Sequence, residues 1–76
     1  MDAAQSRAAR ALLNWSQADL VERSGVSKKT IADFELGLTR PHQRTFEALL
    51  GAFRAAGIEF IRGGVRLRSS GAQKRS

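Results

Sequence analysis

Ser16-Gln17-Ala18-Asp19-Leu20-Val21-Glu22-Arg23-Ser24-Gly25-Val26-Ser27-Lys28-Lys29-Thr30-Ile31-Ala32-Asp33-Phe34-Glu35 divides into two short helices around one glycine. Ser16 is a helix cap, and Asp19 three residues on completes a capping-box pattern. Ser27 is a second cap, placed to accept from the backbone N–H of Thr30. Gly25 ends the first helix where the chain must turn through a left-handed conformation that a Cβ would penalise. The apolar set Leu20, Val21, Val26, Ile31 and Phe34 then faces inward from both helices, leaving Lys28, Lys29, Thr30, Ala32 and Asp33 on the outer face of the second. Two helices joined in this way make a helix-turn-helix, and that outer face is what a major groove would meet.

Upstream, Asp2 or Ala3 to Leu13 is rich in alanine, the best helix former. Its periodicity predicts a face of Ala4, Ala8, Ala11 and Leu12 with Arg7 and Arg10 off it, and the short link Asn14-Trp15 leads on to Ser16. Downstream, Gly37 supplies a second stop, and Leu38-Thr39-Arg40-Pro41 reads as a loop because Pro41 disfavours helical geometry at Arg40. A fourth helix runs from about Gln43 to Ala56, where Gly57 stops it. Its Phe46, Leu49, Leu50 and Phe53 recur at i, i+3, i+4 and i+7, the stripe of a helix with one buried face. Gly51 inside that helix costs about 1 kcal/mol relative to alanine, which points to close packing there.

From Ile58 the period changes from about 3.6 to 2. Ile58 to Arg62 and Val65 to Arg68 are alternating runs around Gly63-Gly64, a hairpin pattern. A Gly-Gly loop would set Arg62 opposite Val65, Phe60 opposite Leu67 and Glu59 opposite Arg68. One face is then Ile58, Phe60, Val65 and Leu67, and the other Glu59, Ile61, Arg66 and Arg68. Because an isolated two-stranded hairpin is marginal in water, the apolar face must cover the helical core or meet another chain. Ser69 to Ser76 is small, polar and basic and reads as a disordered tail. The expected organisation is a helical domain over residues 2–57, a hairpin over 58–68 and a tail over 69–76.

Seventy-six residues make one domain with a core that is only just sufficient, so partner or subunit contacts are expected to carry part of its stability. Thirteen Lys/Arg against seven Asp/Glu give +6, a balance suited to a polyanion. Residues 1–57 hold eight basic and six acidic groups and residues 58–76 five and one, so the C-terminal segment is the more cationic per residue. Without cysteine there is no disulfide or thiolate metal site. No apolar run approaches the roughly 18 residues of a membrane span or follows a basic leader, so the chain reads as cytoplasmic. His42 is the single histidine, so neither a metal site nor a nucleophile–base pair assembles from the usual parts, and no cofactor or enzymatic activity is expected.

From Ser16 to Phe53 the chain resembles the Xre family, the lambda-repressor-like helix-turn-helix regulators. The resemblance rests on Ser16-Gln17, Leu20, Gly25-Val26-Ser27, Ile31, the Glu35-X-Gly37 pair and Arg40-Pro41 before an apolar fourth helix, and it extends over residues 4–57. The exit Gly57-Ile58-Glu59-Phe60-Ile61 is similar to that of a short subgroup of the family. It implies a mainly α, compact four-helix domain, here followed by a β-hairpin, that binds double-stranded DNA, usually as a dimer on a near-palindromic operator. By the same resemblance Gln17 contacts a phosphate, Arg40 and Arg44 flank a loop lying along the DNA backbone, and Arg10 pairs with Glu35 as an internal brace. Two positions depart from the family pattern: Val21 where alanine is usual against the turn, and Asp33, a carboxylate on the DNA face.

The expected base contacts are Lys28, Lys29, Thr30 and Asp33, with Gln17, Ser27, Arg40 and Arg44 at phosphates. Thr30 divides between local capping and DNA contact. Asp33 either accepts from a cytosine amine or, the favoured reading, orients Lys29 or a neighbouring basic residue. Trp15, Phe34, Phe46 and Phe53 are core by spacing. Ile58, Phe60, Ile61, Val65 and Leu67 are expected to build a homodimer contact, the competing arrangement being a hairpin folded on its own helices with dimerisation through the fourth helix or only on DNA. Function then reads as sequence-specific transcriptional regulation by occupancy. The alternative is an antitoxin that represses its own promoter and binds a protein partner through its terminal segment.

Overall fold

The first helix starts on a capping box of Asp2 and Gln5. In the computed structural model, which describes residues 1–68, Asp2 accepts from the Gln5 backbone N–H at 2.8 Å while Gln5 Oε1 accepts from the Asp2 N–H at 2.9 Å. Helix α1 (Ala3–Leu13) follows and ends at Asn14 in the left-handed region, φ 58°. Helix α2 (Gln17–Ser24) has the expected capping box of Ser16 and Asp19, and Gly25 closes it at φ 75°. Helix α3 (Lys28–Glu35) starts on Ser27, whose hydroxyl accepts from the Thr30 N–H at 3.2 Å. It ends with two bonds that satisfy its last carbonyls, Gly37 N–H to Phe34 C=O at 2.9 Å and Leu38 N–H to Asp33 C=O at 2.9 Å. Helix α4 (Gln43–Ala55) and strands β1 (Ile58–Ile61) and β2 (Gly64–Leu67) complete the described chain. The tail expected over residues 69–76 lies outside the described residues.

The core is Ala9, Leu20, Val26, Ile31, Phe34, Leu49, Phe53 and Ile58, one cluster that draws on every helix and on the first strand. Phe53 stacks on Trp15 with ring centroids 5.8 Å apart and meets the edge of Phe60 at 5.9 Å; Phe34 and Phe46 meet edge to face at 6.3 Å. All four aromatics expected in the core are therefore in it or against it.

Three sequence expectations are corrected by the fold. The face of α1 turned inward is Ser6 and Ala9, with Leu13 packed against the core, whereas Ala4, Ala11 and Leu12 are exposed. Alanine is apolar on every face of this helix, so a buried serine that finds a hydrogen-bond partner decides the orientation. The hairpin register is Ile58 with Leu67, Glu59 with Arg66, Phe60 with Val65 and Ile61 with Gly64, so the two-residue loop is Arg62-Gly63. Gly63 carries the positive φ, 77°. This register gives Glu59 and Arg66 an ion pair at 2.6 Å and places the Ile61 and Gly64 carbonyls where Gln5 Nε2 donates to both, at 2.8 and 3.0 Å. Finally, Gly51 is exposed, and a Cβ there would meet nothing within 4 Å among the described residues. No packing demands the glycine, so Gly51→Ala is expected to stabilise the fold by about 0.5–1 kcal/mol and to raise the thermal midpoint by a few degrees.

Candidate nucleic-acid interface

The short α2–turn–α3 unit holds its shape because each end is closed locally and its inner side chains are buried. Leu20 and Ile31 have no exposed surface, Val26 and Phe34 are buried, and Val21 packs half-buried against the same cluster. Ser24 donates to the Leu20 carbonyl at 2.6 Å and accepts from the Val26 N–H at 3.1 Å, which pins the turn from inside. The outer side of α3 is consequently a fixed platform.

On that platform Lys28 is exposed and has no carboxylate partner among the described residues. Lys29, also exposed, reaches Asp33 one turn on, Nζ to Oδ2 at 3.1 Å. Thr30 is half-buried; its backbone N–H donates the capping bond to Ser27 Oγ at 3.2 Å, and its hydroxyl accepts from the same Oγ at 2.9 Å. Arg40 and Arg44 stand exposed on the α3–α4 loop and the first turn of α4, unpaired among the described residues. His42 occupies the cap position of α4 without a side-chain capping bond.

Behind the platform lies the brace. Glu35 is 2 % exposed and takes Arg10 in a forked pair, Nη2 to Oε1 at 2.7 Å and Nε to Oε2 at 3.0 Å. Ser6 Oγ donates to Oε2 at 2.6 Å and Gln17 Nε2 to Oε1 at 3.1 Å. Burial by itself raises the Glu35 pKa. Hydrogen bonds from Arg10, Ser6 and Gln17, together with the Arg10 charge, outweigh it and hold the carboxyl below its ordinary value of 4.5. Arg10 also donates to the Trp15 carbonyl at 3.1 Å, Arg7 donates to the Glu35 backbone carbonyl, and the Arg23 guanidinium lies 4.9 Å from the Trp15 ring centre. The brace therefore ties α1, the α1–α2 link, the start of α2 and the end of α3 to one buried carboxylate.

Sequence reasoning names Arg10, Glu35 and Gln17 but misses Ser6, Arg7, Gln5 and Asn14. Asp2-x-x-Gln5 has capping-box spacing, a signal sufficient to find Gln5; a serine and an arginine inside an alanine-rich helix carry no comparable signal.

The residues expected at a dimer contact separate into three groups. Ile58 is 1 % exposed and fills this chain's own core, so its side chain is not offered to a partner, which corrects its assignment. Phe60 and Val65 are half-buried against that core, while Ile61 and Leu67 remain exposed. The apolar face of the hairpin thus covers its own helices. No helix among the described residues is long and apolar enough to cross a membrane.

No curated protein matches the chain. A family model described as helix-turn-helix, HTH_3, matches residues 7–59, a span that runs from the middle of α1 through the platform and brace into β1. With its paired short helices, buried Arg10–Glu35 brace and exposed basic platform, the chain belongs to this helix-turn-helix family, the Xre or lambda-repressor-like DNA-binding transcription regulators.

Proposed function

We propose that the protein regulates transcription by binding a near-palindromic operator as a dimer, with Lys28, Lys29, Thr30 and Asp33 at base edges and Gln17, Ser27, Arg40 and Arg44 at phosphates. The observation that carries this reading is the basic start of α3, exposed on a unit whose inner face is buried and whose ends are capped. Lys28 is the better candidate for a guanine because no carboxylate competes for it among the described residues. Asp33 acts on Lys29, restricting where its ammonium can point.

Selection of bound sites from random duplex DNA gives the operator, and variants then separate the two kinds of contact. Lys28→Ala is expected to weaken the selected site by about 1–3 kcal/mol and to relax preference at one base position. Arg40→Ala and Arg44→Ala should weaken all sequences alike, each reducing the slope of log affinity against log salt by about 1. Equal losses on operator and random DNA for Lys28→Ala would defeat base reading.

For the dimer, the hairpin's outer strand edges, unpaired with any other strand among the described residues, and the exposed Ile61, at 43 %, and Leu67, at 48 %, support pairing with a symmetry mate. Such pairing suits two recognition helices about one DNA turn apart, roughly 34 Å. Removing the hairpin would also remove Ile58 from the core, so the informative variant is Ile61→Lys. It is expected to sediment as a folded monomer with reduced operator affinity, and an unchanged dimer would move the interface elsewhere. The antitoxin alternative places its partner contact on residues 69–76, outside the described residues.

A further inference from the structure

Most of the partners of Glu35 are structural, but Gln17 is different. It is the first residue of α2, half-buried, with its Nε2 directed at Glu35 Oε1. Arg10 and Ser6 already supply three of the donors that this carboxylate accepts, Arg10 Nε and Nη2 and Ser6 Oγ. The Gln17 bond is the one member of the set that connects the buried brace to a side chain proposed to meet DNA.

We infer that Glu35 is a positioning residue for DNA binding: its carboxylate holds the Gln17 amide in one orientation, with one Nε2 proton bound inward and the other left for a backbone phosphate. The chemistry of the pair enforces this. A carboxylate only accepts, so the flipped amide, with Oε1 against Glu35, would set two oxygens together with no proton between them. A glutamine also has rotatable bonds that a surface contact must otherwise freeze at the moment of binding. Here Glu35 freezes them in the free protein, and Arg10 keeps the carboxylate charged and in place. The brace under the fold and the contact at the DNA backbone are then one hydrogen-bonded unit, which gives a fixed reach between α3 at the bases and α2 at the phosphates.

The inference rests on the DNA-binding reading, and its test uses the full chain with random duplex DNA, because a phosphate contact is independent of sequence. In the free protein, NMR relaxation of the Gln17 side-chain amide should show order near that of the backbone. Gln17→Ala should weaken random-duplex binding on the order of tenfold. Gln17→Asn keeps the amide but is one methylene too short to reach Glu35 and a phosphate together, so it should bind no better than Gln17→Ala. In a Glu35→Gln background shown by circular dichroism to be folded, Gln17→Ala should cost clearly less than in wild type. Should Glu35→Gln not fold, the free-protein amide and the asparagine variant decide. Failure of the wild-type chain to bind any duplex would overturn the regulator reading and this inference with it. Wild-type binding combined with a mobile Gln17 amide, or with Gln17→Asn at wild-type affinity, overturns this inference alone.

Discussion

Arg10→Ala is expected to destabilise the domain by about 3–5 kcal/mol, because it strands a nearly fully buried carboxylate whose strongest partner has gone. A surface pair would be worth about 0–1 kcal/mol, but Glu35 is enclosed and Arg10 itself is only 19 % exposed. Against a total stability on the order of 4–11 kcal/mol for a domain this size, such a loss leaves the variant marginal at 25 °C. Arg10→Ala also releases the Trp15 carbonyl, so the start of α2 loosens with it. The double variant Arg10→Met, Glu35→Leu should be milder than either single change, since replacing both charges removes the unpaired one. Thermal unfolding of Arg10→Ala indistinguishable from wild type would mean that the pair is effectively solvated.

Acid reads the same contact. The folded-state pKa of Glu35 is lowered, so the unfolded chain binds its proton first. The stability contributed by this carboxylate is therefore complete above the unfolded value, near 4.5, and is lost as pH falls through the lower folded value. The thermal midpoint of wild type should hold steady from pH 7 toward 5 and then fall, with a shallower fall in Glu35→Gln. A wild-type midpoint that begins to fall well above pH 5 would reverse the sign assigned to Glu35.

What the sequence discloses, and what it withholds, follows from how local each determinant is. Ser16, Gly25, Ser27 and Gly37 each act within a few residues, the serines starting a helix and the glycines ending one as their residue types dictate. The α4 stripe is equally local, and Leu49 and Phe53 are buried by it. The hairpin register is a different kind of quantity. A shift of two residues along one strand leaves every side chain on its own face, so the alternation that identifies Ile58, Phe60, Val65 and Leu67 as one face is blind to it. What distinguishes the two registers is the Glu59–Arg66 pair and the Gln5 amide 56 residues away from Ile61 in the chain, a contact that no short window contains. The orientation of α1 is likewise set from a distance, by Glu35 drawing Ser6 and Arg10 to one side. Of the candidate interface, the exposed positions of Lys28 and Lys29 follow from their place on α3, but the hydrogen bond between Gln17 and Glu35 emerges only once α2 and α3 are packed.

Phe53→Ala should be as damaging as loss of the brace, for an unrelated reason. Phe53 has no exposed surface and lies between the Trp15 ring, nearly parallel at 21°, and Phe60, whose ring is inclined at 73°. Removing it leaves a large cavity, and substitutions of this kind cost about 3–5 kcal/mol, with roughly 0.5–1.5 kcal/mol more for each aromatic pair broken. Its ring joins α4 to both the α1–α2 link and the hairpin, so no single element can relax to fill the space. Trp15 is the chain's only tryptophan and touches the deleted ring, so its fluorescence, followed with far-ultraviolet circular dichroism during urea unfolding, reports the site directly. The expected result is a domain largely unfolded without denaturant, whose helical signal returns when saturating duplex DNA is added, because binding the native state shifts the equilibrium toward it. Phe53→Leu, which keeps much of the volume and gives up only the ring-on-ring geometry, should cost clearly less and separate packing from aromatic geometry. A urea midpoint for Phe53→Ala close to wild type would place the weight of the core elsewhere, on Leu20, Ile31 and Leu49, and would detach the hairpin from the stability of the helices.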